Sequence, residues 1–191
     1  MAKSLPQVFL TTLCCFDFMF YSCTPGPAVV SNEKVFFDLK GFVNAQSEML
    51  QAEKTALSKT VTFNAKTESK IFSASEINWK NEFSAFSDAD INKPSWRDSY
   101  EIRSAMHGDD SSVTYISRDL ELPVILIFLN FTKERALDSI YIETSQANPL
   151  YNTVKKMSYA TGKRISISGT QHTVILGNEN YSIESLLIKN P

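Results

Sequence analysis

The sequence predicts an α+β fold: two N-terminal helices packed on one face of a curved antiparallel sheet, a meander of about six to eight strands. Three observations carry that expectation. Apolar residues recur at three- and four-residue steps up to about residue 91, and at two-residue steps from Tyr100 onward. Turn-forming residues punctuate the second half at intervals of roughly 8–14 residues. The tract Val124–Leu129 reads Val-Ile-Leu-Ile-Phe-Leu, apolar toward both sides of a strand, so something must cover it, and the helices are the natural cover.

The chain opens with Lys3 and an apolar run from Val8 to Tyr21, ending in Ser22-Cys23 and then Thr24-Pro25-Gly26-Pro27. A positive start, a short apolar stretch and a small-residue exit form a signal-peptide layout. The run is too short for a membrane span, and Asp17 within it adds to that argument. We therefore divide the chain into a signal peptide (1–22), a lipid-anchored flexible tether (23–33) and a single α+β domain (34–191). The tetrapeptide Phe20-Tyr21-Ser22-Cys23 resembles a lipobox, with bulky Phe20 and small Ser22 matching that pattern and Tyr21 larger than usual. The resemblance implies lipidation of Cys23, and two or more acyl chains give stable anchoring where one does not. Cleavage after Ala28, with small Gly26 and Ala28 in suitable places, is the alternative and would release a soluble secreted protein.

Cysteine usage agrees with export. All three cysteines, Cys14, Cys15 and Cys23, precede residue 24, so the domain folds without disulfides and has neither a thiol nucleophile nor a thiolate metal site. With 43% hydrophobic and 21% charged residues the composition is globular. The formal net charge of −2 argues against a protein that grips phosphate backbones, so no nucleic-acid partner is expected.

From Glu33 the pattern is helical. Val35, Leu39, Phe42, Val43, Gln46, Met49 and Leu50 share one side, which predicts an amphipathic helix over about 33–54. Thr60–Asn64 alternates and is β-branched, so it reads as a short strand. Ser73 and Glu76 have capping-box spacing, and Trp79, Phe83, Phe86 and Ile91 follow at helical steps until Lys93-Pro94 stops them. A second helix over about 74–91 follows, its aromatic face read as core. Strands are then expected from Tyr100 to Met106, Val113 to Arg118, Pro123 to Phe131, around Ile140 and Ile142, Leu150 to Tyr159, at Ile165 and Ile167, Val174 to Leu176, and Tyr181 to Ile188. His107-Gly108-Asp109-Asp110, Asn148-Pro149, Thr161-Gly162 and Gly177–Asn180 supply the turns.

The tracts Ala56–Val61, Ile77-Asn78-Trp79 and Asp88–Tyr100 resemble those of uncharacterised lipoproteins of the Bacteroidota. That resemblance spans most of the mature chain and implies an envelope location and a domain of this size. It implies no activity.

Motifs for chemistry are sparse. Asp88, Asp90 and Asn92 open like a calcium loop, but Lys93 and Ser99 stand where that loop needs Gly and Glu. No metal site and no cofactor is assigned. His107 and His172, the two histidines, lack metal-ligand spacing, and no serine sits between glycines in a nucleophile elbow. Phosphate-cradling glycine loops are absent. Glu101, Asp119, Glu121 and Glu143 are the carboxylates that a glycosidase arrangement would draw on. Lys155-Lys156 with Lys163-Arg164, near Tyr151 and Tyr159, forms the most basic patch. It reads as a guarded hairpin edge or as a contact for anionic headgroups or acidic glycan.

These readings favour a non-enzymatic binding or interaction module, with no catalytic residue assigned, tethered to a bacterial membrane. The absence of an acidic run after Cys23 favours the periplasmic side. Its expected partners are the membrane, through the lipid, and an envelope protein, lipid or glycan ligand. Tyr141, Tyr151 and Tyr159 are the candidate ligand-binding residues, expected in a groove on the sheet face that the helices leave bare. The competing function is an envelope hydrolase acting on glycan or peptide through scattered carboxylates or a Ser/His pair.

Overall fold

In the computed structural model, residues 34–174 and 177–189 are described. The expected signal peptide, Cys23 and the tether lie outside the described residues. Helix α1 (Leu39–Ala52) begins later than the periodicity suggests. Residues 34–38 are held non-helical because distant side chains take their backbone donors. Phe36 N–H donates to Asn92 Oδ1 at 3.0 Å and Phe37 N–H to the Tyr115 hydroxyl at 3.1 Å. The helix can start only once Asp38 caps it, its carboxylate accepting the Gly41 N–H at 2.9 Å and also pairing with Lys34. Leu39, Val43, Ser47 and Leu50 form the buried stripe.

A hairpin of β1 (Ala56–Phe63) and β2 (Lys66–Phe72) follows, so the expected order of two helices and then a sheet does not hold. Strand β2 carries Lys66-Thr-Glu-Ser-Lys70, exposed throughout, with no apolar alternation to reveal it. Its turn uses Asn64 and Ala65 at φ 44° and 70°. Asn64 is pinned there by donating to the Asn180 carbonyl at 3.0 Å and accepting the Asn180 N–H at 2.9 Å.

The expected second helix is broken into a 3₁₀ turn (Ala74–Glu76), α2 (Trp79–Glu82), α3 (Ser84–Asp88) and a further 3₁₀ turn (Pro94–Trp96). The break has a local cause. Glu76 folds back onto Ser73, accepting its N–H at 2.8 Å and its hydroxyl at 2.7 Å. Ile77 and Asn78 are then extended, and Asn78 recaps the chain by accepting the Asn81 N–H.

Seven strands complete the fold: β3 (Tyr100–His107), β4 (Asp110–Ser117), β5 (Val124–Phe131), β6 (Leu137–Ala147), β7 (Tyr151–Ala160), β8 (Arg164–Thr173) and β9 (Gly177–Ile188). The polar tetrapeptide Gly177–Asn180, expected as a turn, is instead the start of β9, pairing Asn178 with His172 and Asn180 with Thr170. The result is an α+β protein with an open sheet of nine strands in the order β2-β1-β9-β8-β7-β6-β5-β4-β3. Every pair is antiparallel. Nine strands is one more than the six to eight expected: β2 is silent in the sequence, while of the strand expected over Val174–Leu176 only Val174 lies among the described residues, in a turn. The chain runs from α1 to the β1–β2 edge, crosses back through α2 and α3 to the β3 edge, and meanders until β9 meets β1.

The helices pack on one face. Ile127, Leu129, Ile140, Ile142, Met157, Tyr159 and Ile165 present that face of β5 to β8 and are buried against Leu39, Val43, Leu50, Trp79, Phe83 and Phe86. Val124–Phe131 is less symmetric than its composition suggests: Ile127 and Leu129 are buried under the helices, whereas Leu126 and Phe128 are half-buried on the opposite face.

Candidate functional site

The C-terminal half of α1 and the broken segment Ile77–Lys80 border a groove of about 570 Å³, lined by Ser47, Glu48, Gln51, Ala52, Ile77, Asn78, Trp79 and Lys80. A smaller depression of about 180 Å³ shares Ile77 and Asn78 and continues to Leu57, Phe72 and Glu82. The groove exists because the helix is interrupted. A continuous helix over 74–91 would carry Ile77 and Asn78 onward in register. The extended dipeptide instead leaves a gap between Asn78 and α1.

Trp79 lines this groove and is only 2% exposed. Its ring stands 6.5 Å from Phe83, which in turn meets Tyr159 edge-on at 4.9 Å. The aromatic column fixes the indole. Yet the indole Nε1, a donor only, has no hydrogen-bond partner among the described residues. A buried donor left unpaired costs about 1–3 kcal/mol. Beside it, Ser47 Oγ is engaged by donating to the Val43 carbonyl at 2.8 Å. At the far end of the smaller depression, Lys59 Nζ donates to both Glu82 oxygens at 2.8 Å, which ties β1 to α2. Glu48 and Lys80 supply one charge of each sign to the lining, with Gln51 and Asn78 as neutral polar groups.

The three tyrosines expected to form a ligand groove are not brought together. Tyr159 is fully buried under the helices, its hydroxyl donating to Gln46 Oε1 at 2.7 Å and accepting the Gly162 N–H at 2.9 Å. Burial pushes its phenol pKa up, opposed by the Gly162 hydrogen bond. Tyr141 pairs with Phe128 and Ser158, opposite in strand parity to Tyr159, and so lies on the uncovered face. Tyr151 sits at the far end of β7, exposed. Strand parity and length, not composition, separate them. The uncovered face itself is divided: Ile116, Leu126, Phe128 and Tyr141 make it apolar across β4 to β6, and Ser158, Ser166, Ser168 and Ser182 make it hydroxyl-lined across β7 to β9.

The other candidates resolve into local roles. Asn92 of the calcium-like triplet clamps the segment before α1, and Asp90 Oδ1 accepts its Nδ2–H at 3.0 Å. Among the described residues no group of three or more His, Cys, Asp or Glu could hold a metal ion. His107 Nε2 lies 3.3 Å from Ser112 Oγ at the end of the β3–β4 hairpin, and His172 Nδ1 lies 2.6 Å from Asn178 Oδ1 across β8 and β9. Glu101 and Glu143 share a row of the uncovered face, separated by Ile116 and Leu126. Three strand spacings put their backbones about 14 Å apart, and the Glu101 carboxylate is taken by Arg103 of its own strand at 2.7 Å. Lys155 and Lys156 are adjacent on one strand and so point to opposite faces, and Arg164 approaches Glu184 at 4.0 Å; no single basic patch forms.

No family model matches the chain, and no curated protein matches it. Among solved structures the chain is similar to the S-type phycobiliprotein lyase CPES from Guillardia theta, at 9% identity and a TM-score of 0.27, over 78% of this chain and 98% of that one. A likeness of that size carries neither fold nor activity across. No described helix is long and apolar enough to cross a membrane.

Proposed function

We propose that the chain is a cell-envelope lipoprotein, anchored through Cys23, whose domain is a binding module that takes its ligand in the groove between α1 and Trp79. The observation that carries the binding reading is the groove itself, with a mixed apolar and polar lining and a wall fixed by the Trp79 side chain. Such a site suits a small amphiphilic molecule or chain end that lays its apolar part against Ala52 and offers polar groups to Gln51, Asn78 and Lys80. The lining's hydroxyl, Ser47 Oγ, is spent on the Val43 carbonyl, which supports binding over turnover.

The test uses the two tryptophans. Replacing Trp96 with Phe leaves Trp79 as the single emitter, and a panel of fatty acids, acylated peptides and glycan fragments is titrated against its fluorescence. A saturable change that disappears in Ala52→Phe, which fills the groove without adding an indole, supports the reading. No response from any ligand class, with Trp79 shown to be emissive, removes it. The anchor is tested separately by mass spectrometry of the N-terminus isolated from cell membranes: an acylated Cys23 is expected, and an N-terminus at Val29 or an intact Met1 refutes it.

The hydrolase alternative is favoured by one observation, the His107–Ser112 contact. It predicts that Ser112→Ala abolishes turnover of an acyl or glycan substrate.

A further inference from the structure

The two edges of the sheet are unlike each other. On β2, Lys66 and Lys70 face alternately with Glu68 along one side, a charged fringe of the kind that discourages edge pairing. Strand β3 has no lysine, and its exposed charges Glu101 and Arg103 pair with each other. Ile102 and Met106 lie on it two places apart on the same face, 51% and 71% exposed, and its outer edge pairs with no strand among the described residues. Its single arginine, Arg103, is occupied by Glu101 of the same strand at 2.7 Å.

The direction of the free backbone groups follows from the pairing with β4. Arg118 N–H donates to the Ser99 carbonyl at 2.8 Å, so Ser99–Arg118 is a hydrogen-bonded pair and alternate residues from Ser99 point at β4. Tyr100, Ile102, Ser104 and Met106 therefore turn their N–H and C=O groups outward.

We propose that this edge is a docking strand for a second copy of the chain, with the two β3 strands antiparallel about a two-fold axis at Ser104. Side chains opposite each other must share a face, which limits the axis to a residue position. An axis at Arg103 sets Arg103 against itself, and one at Ala105 sets Arg103 against His107. An axis at Ile102 pairs only the first part of the strand and leaves Met106 beyond it. At Ser104 the whole of Glu101–His107 overlaps: Ile102 meets the other copy's Met106 twice over, Glu101 meets His107 twice over, and Ile102, Ser104 and Met106 exchange their outward backbone bonds. The strand is self-complementary in apolar contact and in backbone hydrogen bonding, as an isologous interface requires. The partner sheet continues this one, and both grooves, on the helix-covered face, stay open.

The experiment uses the full chain in detergent with Cys14, Cys15 and Cys23 replaced by Ser, which leaves it free of thiols. Light scattering over a dilution series should show a monomer–dimer equilibrium. Adding Ser104→Cys should give a covalent dimer on mild oxidation, because that residue faces its own copy across the axis, while Ser69→Cys in the middle of β2 should not. Ile102→Lys should raise the dimer dissociation constant about tenfold or more, since one substitution alters two symmetric contacts. Circular dichroism of that variant should be unchanged, as the side chain is exposed. A chain that stays monomeric throughout the series overturns the proposal. A dimer indifferent to Ile102→Lys, or one cross-linked through Ser69→Cys and not Ser104→Cys, also overturns it and assigns the association to another surface.

Discussion

Tyr159 on β7 donates a 2.7 Å hydrogen bond to Gln46 on α1, 113 residues earlier in the chain, while its hydroxyl accepts the Gly162 N–H at 2.9 Å. One phenol thereby joins the helix layer, the central strand and the following turn, where Gly162 takes the left-handed φ of 66° that most residues avoid. Its ring meanwhile packs edge-on against Phe83.

Tyr159→Phe keeps the ring and deletes the hydroxyl, leaving Gln46 and the Gly162 N–H without their partner. A loss of about 1–3 kcal/mol is expected. Urea denaturation should show a lower midpoint with unchanged slope. Tyr141→Phe, on the uncovered face, should stay within about 0.5 kcal/mol of the parent.

Gly169 lies under the ring of its cross-strand partner Tyr181. A Cβ added there would come within 2.5 Å of the ring carbon Cζ and the hydroxyl oxygen. Gly169→Ala should drive Tyr181 off the sheet at a cost of about 1 kcal/mol. Because the two residues touch, that cost should shrink in a Tyr181→Ala background; equal costs in both backgrounds would refute the stacking role.

Lys59 and Glu82 join β1 to α2 with side chains 24% and 20% exposed. A double-mutant cycle with Lys59→Met and Glu82→Gln should return a coupling of about 0.5–1 kcal/mol. The coupling should weaken as salt is raised. A coupling indistinguishable from zero at low salt would make the pair a crystal-like ornament of the surface and not a clamp.

The pH response should be asymmetric. Burial raises the phenol pKa of Tyr100, with Asp119 adding to it, and burial also raises those of Tyr115 and Tyr159. A raised folded pKa means that the stability is complete below the unfolded value, about 10 for tyrosine, and is lost as pH climbs from there through the folded values. Spectrophotometric titration should show these phenols ionising late and together with unfolding. Asp38 behaves oppositely: the hydrogen bonds it accepts, first from Lys34 and then from the Gly41 N–H, hold its carboxyl low. Its contribution is present above the unfolded carboxylate range and fades as pH falls through the folded value, a small effect at this surface site. Asp38→Asn, which keeps a cap acceptor, should flatten the acid limb of the stability curve.

Legibility followed the range of the interactions. The strands from Tyr100 to Ala160 are readable because they show two-residue periodicity or, in β5, an unbroken apolar run, and the turns at Gly108, Asn148-Pro149 and Thr161-Gly162 carry their own backbone chemistry. Strand β2 was unreadable because both of its faces are polar and β1 alone holds it. The break at Ile77-Asn78 was half visible: Ser73 and Glu76 announced a cap, but nothing nearby showed that Asn78 would start the helix again. The groove depends on that restart. Trp79 was read correctly as core, and its unpaired Nε1 could not have been found, since pairing is a property of neighbours distant in sequence.

By itself, the sequence determined the α+β class, most of the strands, the first helix and the burial of the Trp79, Phe83 and Phe86 face, because these follow from side-chain periodicity over a few residues. Tertiary structure alone decided that β9 pairs with β1, that the helices flank a hairpin, that Tyr141 and Tyr159 lie on opposite faces, and that Trp79 walls a groove. Those outcomes depend on which surfaces meet after the chain has crossed the sheet, and no local pattern of residues encodes that meeting.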